Sequence, residues 1–592
     1  MVRKVLAVLV VIAVLAVYAG LAFESLRRES LTLDETVYIP AGTLLVQRGD
    51  FSFNPEQPPL PKVLAGLGDR GVPQTVPKPF EVGAFLKANR ASIVEWTTRA
   101  RLPIVGLGAL TLLAVLGLGW EMAGFGAGLL AMALAALDPN LLAHGGLVTG
   151  DLPVACFGAW MGFFFLRLLR RFGWFDLVGL AAAFSGALAS KFTAVVFPVL
   201  LLAGGVAAAL RQSPDGGAGS RGRAARRKSR PWSERASYPL IVLVAMSFLS
   251  VPMVWGAYGF QFGVLRSLVE PDLLRDLGLP AGEGAAWAET GRAAGKGTAA
   301  TLAGKAVRPV LDIPVPAPSL WHGLLKTFQR RDGEYAYLRG RISYDGWWEY
   351  YLICFLVKTP LPALAGLALW IVLALAGRAP ARRGAIVGVT VIAGVLALFS
   401  IQKVDLGLRY ILPLYPFLYA LVGTLAAAGE YGPRAVGVRP SRAWSIVVFA
   451  LFLGQVGEAA VARPHYLAYF NAVAGGSEGG RRWLADSNLD WGQDLPGLAA
   501  FLREKGIPRI KLSTSGNVDP AFYGIDYEYL HAPFFRTKSG GHPGCKPVKG
   551  WVAVGATNLA GVHLDPEDCY AWLRGRMPVA AIGHSILVYK LE

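Results

Sequence analysis

Charge and metal-binding side chains are scarce in this chain of 592 residues. Only 17% of residues are Asp, Glu, Lys or Arg, against 54% hydrophobic ones, and the mean hydropathy is +0.44. A soluble multidomain protein of this length would carry more charge to cover its surface, so that class is excluded. Seven histidines are scattered and the four cysteines form no Cys-x-x-Cys pair, which argues against a structural zinc site.

Apolar runs stand where the charge is missing. About eleven approach the ~20 residues that cross a bilayer. They lie at roughly 4–23, 102–120, 123–138, 152–170, 174–189, 191–210, 238–256, 349–376, 384–401, 409–428 and 443–461. The third and fifth are short, which leaves tilted or re-entrant forms open. The first has a basic start, Arg3 and Lys4, but no small-x-small cleavage site follows it, so it is expected to remain as a span.

Basic residues set the expected orientation. Arg167, Arg170 and Arg171 follow the fourth run. Arg221, Arg223, Arg226, Arg227, Lys228 and Arg230 lie in the 211–237 segment, Arg378, Arg382 and Arg383 follow the eighth run, and Arg434, Arg439 and Arg442 follow the tenth. With a cytoplasmic N-terminus all four connections face the cytoplasm, and most of the +18 net charge is explained. The Gly/Arg-rich 211–237 tract is expected to be disordered and to touch anionic lipid rather than nucleic acid. The expectation is a multi-pass protein of the cell membrane. Its domain 1–461 spans the membrane, with loops 24–101, 139–151 and 257–348 outside. A second domain, 462–592, is extracytoplasmic.

The unusual polar residues fall on that outer side. Asp34 and Glu35 stand in Leu31-Thr-Leu-Asp-Glu-Thr-Val-Tyr38, where spacing from Asp34 through Tyr38 to Gly42 suggests a surface helix. A carboxylate there can deprotonate a hydroxyl or hold a metal; the alternative is a helix cap. Pro58, Pro59 and Pro61 stiffen the next stretch and exclude a helix interior there, making Glu56 and Lys62 candidates for one wall of a site. Asp151 stands at the entrance of the fourth run, after His144-Gly-Gly-Leu-Val-Thr. It is either functional or an N-cap, and His144 is either an acceptor contact or a loop residue. Lys358, in Val357-Lys-Thr-Pro-Leu-Pro362, and Arg409, in Gly407-Leu-Arg-Tyr-Ile-Leu-Pro-Leu-Tyr-Pro416, suit a phosphate headgroup or snorkel to the interface. The prolines at 360 and 362 break or kink the eighth run. Lys191, in a tight outer turn, is a weaker candidate. Cys156 and Cys354 read as packing residues. Cys545 and Cys569 lie in the outer tail, where a disulfide is expected.

At these residues the chain resembles bacterial glycosyltransferase family 39, the protein O-mannosyltransferase and aminoarabinose-transferase group of the GT-C fold. The resemblance covers roughly residues 5–425 and is firmest at 31–66, 139–155 and 400–420. It implies a transfer of a hexosyl or pentosyl group from a polyprenyl-phosphate donor to a protein, lipid or glycan acceptor outside the membrane. It also implies Asp34 as the catalytic carboxylate, with Glu35 and Asp151 as accompanying acids and Arg409 as a donor-phosphate contact. Direct displacement would invert the anomeric centre. No nucleotide-sugar motif is needed and no cofactor is certain; a divalent metal on Asp34 and Asp151 stays open. A lipid transporter or flippase would carry ionisable residues within several spans, and a membrane-anchored glycan-binding protein would leave Asp34 and Asp151 without a role.

The tail reads as a small α/β domain. Helices are expected at 494–505 and 566–574, and strands at 509–514, 551–556 and near 579–590. The stretch Asp486-Ser-Asn-Leu-Asp-Trp-Gly-Gln493 is either a binding cluster with Trp491 as a stacking face or a hydrogen-bonded turn joining domain to membrane.

Overall fold

A computed structural model of the chain describes residues 2–211, 232–264, 313–329, 334–379, 382–430, 441–533 and 545–592. Most of the basic 211–237 tract, much of the 257–348 loop, and Arg434 and Arg439 lie outside the described residues.

Every expected apolar run is helical. Among the described residues six helices are long and apolar enough to cross a membrane: Val2–Leu26, Arg90–Ala123, Asp151–Arg170, Phe192–Leu210, Ser237–Ala257 and Arg442–Ala462. Phe125–Ala136, Trp174–Leu188, Gly384–Ser400 and Leu412–Ala427 are shorter apolar helices. The run at 349–376 is two helices, Tyr350–Lys358 and Leu361–Leu375, which meet at 111°. Thr359 between them is extended, at φ −79° and ψ 134°, because Pro360 disfavours helical backbone in the residue before it. The chain is a polytopic helical membrane protein with an α/β region at its C-terminal end.

At one end of the bundle the chain after the first span forms two short helices, Glu35–Arg48 and Leu60–Gly68. Pro61 sits in the first turn of the second, where a missing N–H costs nothing, so the proline segment starts a helix rather than interrupting one. The two helices touch through glycines: a Cβ on Gly66 would lie 2.3 Å from the Gly42 carbonyl oxygen. The main chain of Leu60 donates to the carbonyl of Ala189 at 2.9 Å, which seats the second helix beside the turn carrying Lys191.

Nine strands occur among the described residues. β1 (Phe262–Val264) pairs antiparallel with β2 (Pro314–Pro316), and β3 (Ala336–Leu338) with β4 (Arg341–Ser343). The remaining strands are β5 (Ile510–Ser513), β6 (Tyr527–Tyr529), β7 (Gly550–Gly555), β8 (Ala580–Ile582) and β9 (Ile586–Leu591). They form one sheet in the order β6-β5-β7-β9-β8. β6, β5 and β7 run parallel, and β9 is antiparallel to both β7 and β8. The helix expected at 494–505 is Leu495–Glu504. The one expected at 566–574 is a single 3₁₀ turn, Ala571–Leu573; Cys569 donates to the Pro566 carbonyl and Leu573 to that of Tyr570, three residues back each time. Cys569 is joined to Cys545 in a disulfide, which ties this stretch back to the residues just before β7. β6 is too short, at three residues, to show alternation in the sequence.

One hydrophobic core runs through both parts. Trp96, Tyr350 and Tyr415 of the bundle belong to the same buried cluster as Leu484, Trp491, Leu498 and Ile510 of the tail. Burial of large side chains across that seam, at about 1.5–3 kcal/mol each, joins the α/β region firmly to the bundle.

Candidate active site

Asp34 occupies the N-cap position of the Glu35–Arg48 helix but makes no side-chain cap hydrogen bond. Its carboxylate instead accepts from Arg409 Nη1 at 2.5 Å. The same Nη1 lies 4.0 Å from Asp151 Oδ2, and Lys191 Nζ is 2.5 Å from Asp151 Oδ1. Four side chains from four separate segments thus form a row of alternating sign: Asp34, Arg409, Asp151, Lys191. Gly150, not Asp151, is the N-cap of the Asp151–Arg170 helix, so the Asp151 carboxylate is free to face the row. Access differs along it. The Asp34 side chain is 29% exposed and Arg409 12%, whereas Asp151 is 2% exposed.

Aromatic rings frame the cations. Arg409 Cζ stands 4.5 Å from the centroid of Trp491 and 5.6 Å from that of Tyr410, and Lys191 Nζ lies 4.0 Å above Tyr410. The turn carrying Arg409 depends on Gly407, whose φ of +91° puts it where a side chain would be strained and would meet Asn488 at 2.8 Å. Tyr38 is buried near the same charges, with Asp34 and Asp151 pushing its hydroxyl pKa further up after burial itself.

His144 is buried close to the row, and its Nδ1 has no hydrogen-bond partner. Burial pushes its pKa down to about 4; the Asp151 charge works against that and those of Arg409, Lys358 and Lys191 with it. It is a neutral imidazole at ordinary pH.

Glu35, expected in the catalytic set, faces away from Asp34. Its carboxylate accepts from Arg101 Nε at 2.8 Å and Nη2 at 2.5 Å, and from the main chains of Thr32 and Val148. Arg101 gives its remaining donors to the carbonyls of Leu26, Glu29 and Ser30. Both side chains have 0% exposure. Burial favours the neutral acid, but the Arg101 charge and these hydrogen bonds hold Glu35 below the usual carboxylate range.

Lys358, expected at a phosphate, donates instead to the carbonyls of Leu467 at 2.9 Å and Asn488 at 2.7 Å, over the ring of Phe470. Those acceptors belong to the segment entering the α/β region, so the ammonium pins that segment to the bundle. Glu56 and Lys62 form a small cluster of their own. Asn54 Nδ2 donates to Glu56 at 2.8 Å and Lys62 Nζ donates to the Asn54 carbonyl at 2.8 Å. Burial brings Lys62 down to about 7, with Glu56 opposing it.

The 486–493 stretch is the hydrogen-bonded turn. Asn488 Oδ1 accepts from the Leu408 main chain, Ser487 Oγ donates to the Leu406 carbonyl, and Asp490 Oδ2 accepts from Ser515 Oγ and the Thr557 main chain. The carbonyls of Trp491 and Gln493 accept from Leu33 and Ser30. Trp491 is 2% exposed, so its face is not available to stack on a sugar.

Arg409 occupies the space between the two carboxylates, Asp34 and Asp151, that a divalent metal would use. Among the described residues the group of metal-type side chains that comes together is His531 with Cys545 and Cys569, and those two sulfurs are bonded to each other.

No family model matches the chain, and no curated protein matches its sequence. Solved structures do align with it. ArnT from Cupriavidus metallidurans in the apo state aligns at 16% identity and a TM-score of 0.46, over 99% of this chain and 98% of that one. The same protein bound to undecaprenyl phosphate gives 14% and 0.45, over 98% and 97%. The oligosaccharyltransferase of Archaeoglobus fulgidus gives 12% and 0.42, over 77% of this chain and 56% of that one.

Proposed function

We propose that the chain is an integral-membrane glycosyltransferase of the GT-C type, moving a sugar from a polyprenyl-phosphate donor to an acceptor hydroxyl at the extracytoplasmic face. The observation that carries this reading is the Asp34–Arg409 pair: an acid and a guanidinium in contact, both partly open, at the end of a membrane bundle. A carboxylate with one partner and solvent access can take a proton. A guanidinium beside it can hold the oxygens of a phosphate through its fork.

The phosphate and Asp34 compete for Arg409. A donor phosphate drawing Arg409 to itself releases Asp34, so the base becomes free when the sugar is in place. Asp34 then takes the proton of the acceptor hydroxyl. The acceptor oxygen bonds to the anomeric carbon from the face opposite the phosphate, and the bond from that carbon to the phosphate oxygen breaks with inversion. The electron pair leaves on the polyprenyl phosphate, whose charge Arg409 stabilises. Asp151, held by Lys191, keeps a negative charge beside Arg409 and fixes its direction. His144, Glu56 and Lys62 line the acceptor approach. Lys358 and Glu35 hold the framework.

The test is incubation of membranes with a panel of radiolabelled polyprenyl-phosphate sugars, for the wild type and Asp34→Asn. Label should pass to an acceptor with the first and not with the second. Wild-type transfer by Asp34→Asn would sink the mechanism. Transfer should survive chelation, since each carboxylate already has a cation of the protein's own.

A further inference from the structure

We propose that Trp491 is a positioning residue for Arg409, and that the C-terminal α/β region, by gripping Asp490, is thereby part of the lipid-phosphate site. The proposal rests on the reading of Arg409 given above.

Trp491 touches Arg409 itself and the residue that precedes Asp34. Its ring lies 4.5 Å from the Arg409 guanidinium carbon, while its carbonyl accepts from the main chain of Leu33, the residue before Asp34. Arg409 is a long side chain between two acids, Asp34 and Asp151, and could turn toward either. An aromatic face confines the guanidinium to one plane and favours its charge without supplying a competing acceptor. Arg409 Nε donates to the Leu406 carbonyl at 3.3 Å, and the ring face keeps Nη1 directed along the row.

Trp491 is itself held from beyond. The neighbouring Asp490 takes Ser515 Oγ at 2.5 Å and the Thr557 main chain at 3.0 Å on one carboxylate oxygen, and its carbonyl takes Thr557 Oγ1 at 3.0 Å. Ser515 and Thr557 follow the carboxyl ends of β5 and β7, two parallel neighbours in the sheet. Open sheets of parallel strands bind their ligands in the crevice at such ends. Here the crevice holds a carboxylate of the same chain. The α/β region thus acts as a clamp on the 486–493 turn, and the turn presents the indole to Arg409.

The experiment measures binding of undecaprenyl phosphate and of undecaprenol to the purified full chain in nanodiscs. It compares the wild type with Trp491→Leu, Trp491→Phe and Asp490→Ala. The expected result is about tenfold weaker binding of the phosphate by Trp491→Leu and Asp490→Ala, near wild-type binding by Trp491→Phe, and unchanged undecaprenol binding throughout. Should Trp491→Leu not fold, Trp491→Met keeps bulk without a π face and carries the same comparison. Equal losses for phosphate and alcohol would mean general damage and overturn the proposal. So would a Phe variant as weak as the Leu variant, or a Leu variant that binds phosphate like the wild type. A wild type that does not prefer the phosphate over the alcohol would instead remove the phosphate reading of Arg409 itself.

Discussion

Asp34 and Glu35 are joined by one peptide bond, and their carboxylates face two different regions of the molecule. Glu35 lies in a closed node, with Arg101 and two main-chain N–H groups on its oxygens and no exposure. Asp34 lies in an open row, with the single guanidinium of Arg409 and a partly exposed surface. A saturated buried ion pair has nothing left to offer a ligand. A half-satisfied one at a surface can exchange its partner. Adjacent acids of like chemistry are thus given a closed and an open setting by their surroundings.

The largest effect that separates them is on activity. Asp34→Asn should reduce sugar transfer by about 10²–10⁴-fold while leaving the thermal midpoint in detergent where it was. A midpoint that falls with the activity would erase the distinction. Glu35→Ala should do the reverse, leaving Arg101 buried without a counter-charge at a cost of about 3–5 kcal/mol. Thermal melting of the purified variant, or failure to recover it from membranes, reads this out; a stable but inactive Glu35→Ala would place Glu35 among the reagents after all. Arg409→Lys keeps a charge in the row and removes the fork, so undecaprenyl-phosphate affinity should drop by about tenfold, as measured by titration in nanodiscs. Equal affinity would reduce Arg409 to a point charge.

The smallest effect concerns a third acid. Asp490 is buried and hydrogen-bonded, and burial raises its pKa from 3.8 to about 6 despite the bonds from Ser515, Thr557 and Gly492. The folded chain therefore binds this proton more tightly than the unfolded one. Its stabilising contribution is full below about pH 4 and is lost as pH rises through about 6. Glu35 has the opposite sign, since its folded value is lowered; its contribution is present above the ordinary carboxylate range and is lost on acidification. Between pH 5 and 7 the wild type should lose about 1 kcal/mol relative to Asp490→Asn, with Glu35 ionised throughout. Parallel pH profiles for the two proteins would show that Asp490 does not titrate in that range.

Much of this was legible in the sequence, and the exceptions have a common cause. Apolar runs mark helices by composition alone, and all of them were found. The break at Thr359-Pro360 follows from proline's local chemistry. Asp34, Asp151 and Arg409 could be set on one face because topology places loop ends together. The partner of Glu35 could not be read, because Arg101 is 66 residues away and a one-dimensional chain does not say which of two adjacent acids turns inward. A charge abutting the apolar run at 102–120 was the available signal, since such a group needs a partner. The partners of Lys358 could not be read for a related reason. A lysine at the edge of a span reads as an interfacial cation, yet its acceptors are carbonyls 109 and 130 residues further on. Lys191 ranked low because its turn is short and ordinary; its partner Asp151 is 40 residues back.

The hydrogen bonds from Ser30 and Leu33 to the 491–493 segment have a consequence for biosynthesis. Ser30 Oγ and the Gly492 carbonyl are 462 residues apart in the chain. The loop carrying Asp34 leaves the ribosome among the first segments and has to wait, beside an already inserted first helix, for nearly the whole polypeptide to follow. The contacts of the 486–493 turn with Arg409, Ser30 and Leu33 can form only once that turn and the later strands that hold it have been made. Completion of the surroundings of the Asp34–Arg409 pair is therefore among the last events of maturation, and a chain stalled or cut before residue 486 would lack them.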